Sequence, residues 1–130
     1  MSYYIAKTLQ QDFDATVNEV IARLKEHGFG VLTDIDVQAT LKAKIGADTP
    51  KYRILGACNP RLAHEALQHE TRLGVLLPCN VIVRETAEHD VEVASVDPVA
   101  SLERTGNEAL RATAEQVRRD LAAVIEALGR

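Results

Sequence analysis

The stretch Lys51-Tyr52-Arg53-Ile54-Leu55-Gly56-Ala57-Cys58-Asn59-Pro60 decides the fold, because it holds a strand, a stop and a helix start in succession. Along it Tyr52, Ile54, Gly56 and Cys58 point one way, and Arg53, Leu55 and Ala57 the other. Asn59 then offers a side-chain oxygen to the orphan amides of a helix, and Pro60 at the first helical position needs no amide partner. The helix runs to about Glu70, with an inner face of Leu62, Ala63, Ala66 and Leu67.

Upstream, residues 2 to 9 are rich in strand formers and give a first strand. Phe13, Val17, Val20, Ile21 and Leu24 recur at helical spacing, with Asp12 as cap and Gly28 as the left-handed stop. Phe29 to Ile35 alternates as a second strand, and Val37, Leu41 and Ile45 share a face of a short helix between Asp36 and Gly46. Downstream, Val75 to Arg84 forms a fourth strand interrupted by Pro78. Because proline within a sheet is confined to edges, first positions or bulges, this strand bends or begins properly at Cys79. Val91 to Val96 pairs with it as a hairpin, and Asp97-Pro98 ends the strand. Thr105 and Glu108 have capping-box spacing ahead of a long helix through Leu110, Ala114, Val117, Leu121, Val124 and Leu128. The order β-α-β-α-β-α-β-β-α predicts an α+β fold, with a mostly antiparallel five-stranded sheet covered on one face by helices and residues 1–130 forming a single domain.

At 130 residues, with 46% hydrophobic and 26% charged residues, the chain can bury one proper core without crosslinks. Its formal net charge is -4 and its Lys and Arg are dispersed, which argues against nucleic acid and against an anionic membrane surface as partners. The N-terminal Met-Ser-Tyr-Tyr-Ile-Ala-Lys lacks the pattern of a signal peptide, and no apolar run approaches the ~20 residues of a bilayer span. A reducing cytoplasm is therefore expected, in which Cys58 and Cys79 are thiols unless they bind metal or do redox chemistry.

Those two cysteines are the least ordinary feature. Gly56-Ala57-Cys58-Asn59-Pro60 and Leu77-Pro78-Cys79-Asn80 each carry Cys-Asn beside a proline at a strand terminus. A thiol next to a helix N-terminus has its thiolate favoured, which would make Cys58 reactive. Two thiols brought together could hold a soft ion such as Cu(I) or Zn(II), with a further ligand completing the shell. The plainer reading is that both are small hydrophobes on inner strand faces. Geometry separates these readings. A parallel crossover between the two strands sets the sulfurs at opposite ends, and an antiparallel arrangement brings them close.

Other candidates are weaker. His64 and His69 are five apart and do not share a helix face, while His27 and His89 fall at a helix end and a turn. Asp36 is better explained as a cap than as the partner of Asp34 in a catalytic pair. Arg53 and Arg84 could bind an anion, or simply occupy an exposed sheet face. Gly28-Phe29-Gly30 lacks the signature of a phosphate loop.

The segments Lys51 to Pro60 and Leu76-Leu77-Pro78-Cys79-Asn80-Val81 resemble the two signature segments of the domain-of-unknown-function family 302. The stretch Gly28 to Asp36 and the pair Asp97-Pro98 are similar to that family's pattern too. The resemblance spans nearly the whole chain. It implies a compact bacterial or archaeal α/β domain, a dimer, and no established activity.

The leading expectation is a non-enzymatic homodimeric module that binds a small polar ligand or a soft metal ion at Cys58, Asn59, Cys79 and Asn80, with Cys58 and Cys79 as the metal ligands. The competing expectation is a thiol-dependent enzyme using Cys58 as nucleophile and His64 as base. A third is a structural or assembly protein whose open sheet face is buried against a partner.

Overall fold

A computed structural model describes residues 2–130. Its elements in chain order are β1 (Tyr4–Leu9), α1 (Phe13–Glu26), β2 (Gly30–Asp36), α2 (Val37–Ile45), β3 (Tyr52–Cys58), α3 (Pro60–His69), β4 (Cys79–Glu85), β5 (Val91–Val96), α4 (Pro98–Leu102) and α5 (Arg111–Ala127). Short 3-10 turns cover Leu73–Leu76, Glu103–Thr105 and Glu108–Leu110. The strands form one sheet in the order β1-β5-β4-β3-β2, and every neighbouring pair is antiparallel. The expected α+β class with an antiparallel five-stranded sheet is the observed one.

β1 and β2 are consecutive in the chain yet occupy opposite edges, so α1 has to cross the whole sheet. Four strand spacings make roughly 19 Å, and a helix of 14 residues is about 21 Å long. The helix length thus matches the sheet width. Asp12 caps α1 by accepting from the Ala15 amide at 2.9 Å. The face that α1 lays on the sheet carries Phe13, Val17, Val20 and Leu24, all buried.

Period-two alternation sends Leu55, Ala57, Val81, Val83, Val91 and Val93 to that same side. There they meet α1 and the Val117, Leu121, Val124 and Leu128 stripe of α5 in one apolar core. A smaller second core gathers Ala66 of α3, Leu73, Leu102 of α4, Leu110 and Ala114, with Leu77 and Val99 packed on it.

Three details depart from the sequence reading. Val75 and Leu76 belong to a 3-10 turn, so the fourth strand begins at Cys79, which is where Pro78 had suggested. Asp97-Pro98 does more than end β5: the Asp97 carboxylate accepts from the Val99 amide at 3.0 Å and the Ala100 amide at 3.4 Å, starting α4. The Thr105/Glu108 capping box does not form. Asn107 is the cap there, accepting from the Ala109 amide at 3.0 Å, while the Thr105 hydroxyl donates back to the Leu102 carbonyl. Among the described residues no helix is long and apolar enough to cross a membrane.

The opposite face of the sheet lies away from this core. Register places Ile35, Ile54, Ile82, Ala94 and Ala6 in one row directly across all five strands. A flanking row runs Tyr52, Arg84, Glu92 and Thr8, with Arg84 Nε donating to Glu92 Oε1 at 2.7 Å. On the other flank, Gly56 stands between Thr33 and Asn80. Its lack of a side chain is required, because a Cβ there would lie 2.1 Å from Thr33 Oγ1 and 2.7 Å from Pro78 Cγ.

Candidate functional site: a two-thiol cavity

The antiparallel pairing of β3 with β4 sets Ala57 opposite Cys79, so the end of one strand lies beside the start of the other. The distant arrangement that a parallel crossover would have produced does not occur. Cys58 and Cys79 line a single cavity of ≈ 360 Å³, walled also by Phe29, Leu62, Ala66 and Leu102. Its place in the fold is the seam between the two apolar cores. Phe29, Ala57 and Cys79 belong to the sheet side, and Ala66, Leu73 and Leu102 to the satellite side.

The neighbouring helix positions this cavity. Asn59 ends β3 and accepts from the Leu62 amide at 3.3 Å, which turns the chain into α3 over the cavity. α3 then packs through Leu62 onto the main core and through Ala66 onto the satellite core. At its far end, Asn107 Nδ2 donates to the His69 carbonyl at 2.9 Å. α4, started by Asp97, supplies Pro98 and Leu102 to another wall. Asp97 is held in turn by Arg118 of α5, whose Nε donates to it at 2.9 Å.

The four residues singled out from sequence do not all converge. Cys58, Asn59 and Cys79 border the cavity. Asn80 does not: one step further along β4, it is paired with Gly56 and borders a separate concavity of ≈ 630 Å³ with Tyr52, Ile82 and Arg84 on the open face. The Asn59 oxygen is engaged as a cap, which leaves its Nδ2 as the polar group this side chain can offer at the cavity rim.

Electrostatics also differ from the expectation of an activated thiol. Burial pushes the Cys58 thiol up from its ordinary value. Cys79, more deeply enclosed, is pushed up to about 11, by burial first and then by the charge that Cys58 would carry. The helix dipole loses this contest for a local reason. Cys58 stands before the cap, Pro60 has no N–H to offer, and the Leu62 amide is already taken by the Asn59 side chain.

The remaining titratable candidates are accounted for by ordinary contacts. His64 is exposed, with its Nε2 3.5 Å from Gln68 Nε2, and it is absent from the cavity wall. Asp36 caps α2 by accepting from the Ala39 amide at 2.9 Å. Arg53 is paired with Asp34, Nε to Oδ1 at 2.8 Å with a second bond from Nη2, and this partner holds the Asp34 carboxyl below its usual range. Among the described residues no three His, Cys, Asp or Glu side chains cluster as a metal shell, so the two sulfurs have no third donor from within one chain.

Sequence reasoning missed the satellite side of the cavity, Leu73, Leu77, Pro98 and Leu102. The available signal was Asp97-Pro98, which repeats the cap-then-proline pattern read correctly at Asn59-Pro60.

No curated protein matches the sequence. Among solved structures, the crystal structure of an uncharacterized conserved protein DUF302 from Bacillus stearothermophilus is similar. It has 25% sequence identity and a TM-score of 0.90, over 97% of this chain and 98% of that one. Residues 5–128 match the family described as Domain of unknown function DUF302. With its fold shared over nearly its full length and its sequence matched almost end to end, the chain belongs to the DUF302 family.

Proposed function

We propose that the chain is a small non-enzymatic binding module that works as a homodimer and receives a small molecule in the cavity beside Cys58 and Cys79. The observation that carries the reading is the convergence of two thiols, distant in sequence, on one cavity at the junction of two cores. A cavity of ≈ 360 Å³ is within the range of ligand sites. The thiol-enzyme alternative finds less support. Both thiols favour the protonated form, and the base expected for it, His64, is exposed and off the cavity wall.

The homodimer rests on the open sheet face. Its apolar row of Ile35, Ile54, Ile82, Ala94 and Ala6 has Tyr4, 47% exposed, near one edge, and Ile35 itself is 46% exposed. Strand and residue spacings give this face roughly 24 Å by 20 Å. That is about 480 Å², more than half of the roughly 800 Å² per partner of a stable interface, so the rim of the sheet has to contribute to the contact. The charges beside the row, Arg84 and Glu92, neutralise each other within the chain, so they set no net repulsion between two copies of this face.

Native mass spectrometry after incubation with a small-molecule extract of cells tests the site. The expected result is a bound small molecule that is lost in Ala66→Trp, which fills the cavity. An adduct that persists in that variant, or no adduct at all, removes the reading.

A further inference from the structure

We propose that the ligand of this cavity is a neutral molecule with a hydrocarbon body, an aliphatic chain or an aromatic ring system, rather than a polar metabolite or a metal ion. This rests on the binding-module reading and specifies what the module takes.

The wall carries no Lys, Arg, His, Asp or Glu. Apart from the two thiols, its polar side chains are Asn59, whose oxygen is already engaged as a cap and whose amide NH2 is a neutral donor, and Thr113, a neutral hydroxyl. A charged group placed there would lose its hydration and meet no counter-charge. The cavity opens to solvent, so water can enter it, but the wall offers that water few polar partners. An apolar cavity left empty costs stability in proportion to its volume, because the lining atoms lack contacts on one side. A hydrocarbon body restores those contacts without leaving a polar group unpaired. Sulfur suits that role, for a protonated thiol is soft, polarisable and weakly hydrogen-bonding.

The roof is built to admit such a molecule. Of the α3 residues only Ala66 is buried, and Leu67 is 37% exposed, so α3 spans the gap between the two cores with few contacts to either. The 3-10 turn after it buries Leu73 while leaving Val75 85% exposed. A ligand beneath α3 would join Phe29 and Ala57 of the main core to Ala66 and Leu102 of the satellite, making one continuous apolar interior.

N-phenyl-1-naphthylamine, neutral and fluorescent only in apolar surroundings, is the probe. Excitation of the probe beyond the absorption of tyrosine and tryptophan keeps its emission free of protein fluorescence, in the Trp variants as in the wild type. The expected result is saturable binding to the full chain and an approximately tenfold slowing of Cys58 alkylation by N-ethylmaleimide. Ala66→Trp should abolish both while keeping the wild-type circular dichroism. Ala63→Trp, at a less buried part of the wall, serves as the second blocking variant should Ala66→Trp fail to fold. The related sulfonate, 1-anilinonaphthalene-8-sulfonate, should bind at least ~10-fold more weakly, since its charge has no partner in the wall. Equal binding of the sulfonate at the same site would overturn neutrality while leaving the site. Zinc protection of both thiols, with no effect of the neutral probe, would keep the two-thiol site and overturn the hydrocarbon class. If nothing protects Cys58, both readings fall together.

Discussion

Gly56→Ala offers a sharp test of the β3–β4 geometry that brings the two thiols to one cavity. An alanine Cβ at this position would lie 2.1 Å from Thr33 Oγ1 and 2.7 Å from Pro78 Cγ. Thr33 is β-branched, so rotating its hydroxyl away swings its methyl group toward the same space. Pro78 is a ring fixed to the backbone and cannot rotate. The cost should therefore sit near the top of the overpacking range, about 3 kcal/mol. Replacing glycine also restricts the unfolded chain, which returns about 0.4–1 kcal/mol. The net expectation is a loss of about 2 kcal/mol. With a urea dependence of roughly 1.5 kcal/mol/M, the unfolding midpoint falls by roughly 1.3 M at unchanged slope. Thr33→Ala in the Gly56→Ala background removes one of the two clashes and should recover part of the loss, by a non-additive amount of about 0.5–1 kcal/mol. A Gly56→Ala midpoint within ~0.3 M of wild type would refute the close approach of Thr33, Gly56 and Pro78, and with it the register on which the cavity depends.

Cys79 gives an alkaline signature with a definite sign. Its thiol ionises near 9.0 in the unfolded chain and near 11 when folded, so its contribution is complete below pH 9 and is lost as pH rises toward 11. The loss is about 2–3 kcal/mol, read as the difference in denaturation midpoints between wild type and Cys79→Ala across that window; parallel pH profiles would contradict it. Asp97→Ala removes the α4 cap and the Arg118 partner together from a residue only 5% exposed, and should cost about 2–3 kcal/mol by urea unfolding. Asp97→Asn, which keeps an accepting oxygen, should recover about 1 kcal/mol of this, and equal losses in the two variants would count against a capping role. On the open face, Ile82→Glu places a charge in the middle of the apolar row, and light scattering should show a dimer mass for wild type and a monomer for the variant. A monomeric wild type would remove the proposed dimer.

The sheet was legible because its strands alternate. Alternation split β3 into a Leu55/Ala57 side and an Ile54/Cys58 side without saying which is buried: the plainer reading set Cys58 on an inner face, whereas the core takes Leu55 and Ala57; Pro78 marks where β4 starts. Caps of a single residue were legible too, since Asp12, Asp36 and Asn59 all perform as their positions suggest. Strand order was not, because the path of α1 from one edge to the other depends on the width of a sheet that only exists once folded. The same gap hid the site. Alternation along β3 and β4 could place each thiol on a face, but their meeting required the antiparallel register. The capping box at Thr105 failed through competition: Asn107, two residues on, makes the cap, and Thr105 bonds backward to Leu102. Cys58 was misjudged electrostatically because its closeness to a helix start in sequence says nothing of how much solvent it loses in the fold.

Xenon enters apolar cavities and avoids hydrated ones, so a crystal of the protein pressurised with xenon shows whether the space between the two cores is apolar. The expected result is a xenon atom between the two cores, in van der Waals contact with Cys79 Sγ and with the side chains of Ala66 and Leu102. A cavity filled by ordered, hydrogen-bonded waters, or closed by α3 settling onto the sheet, would contradict it.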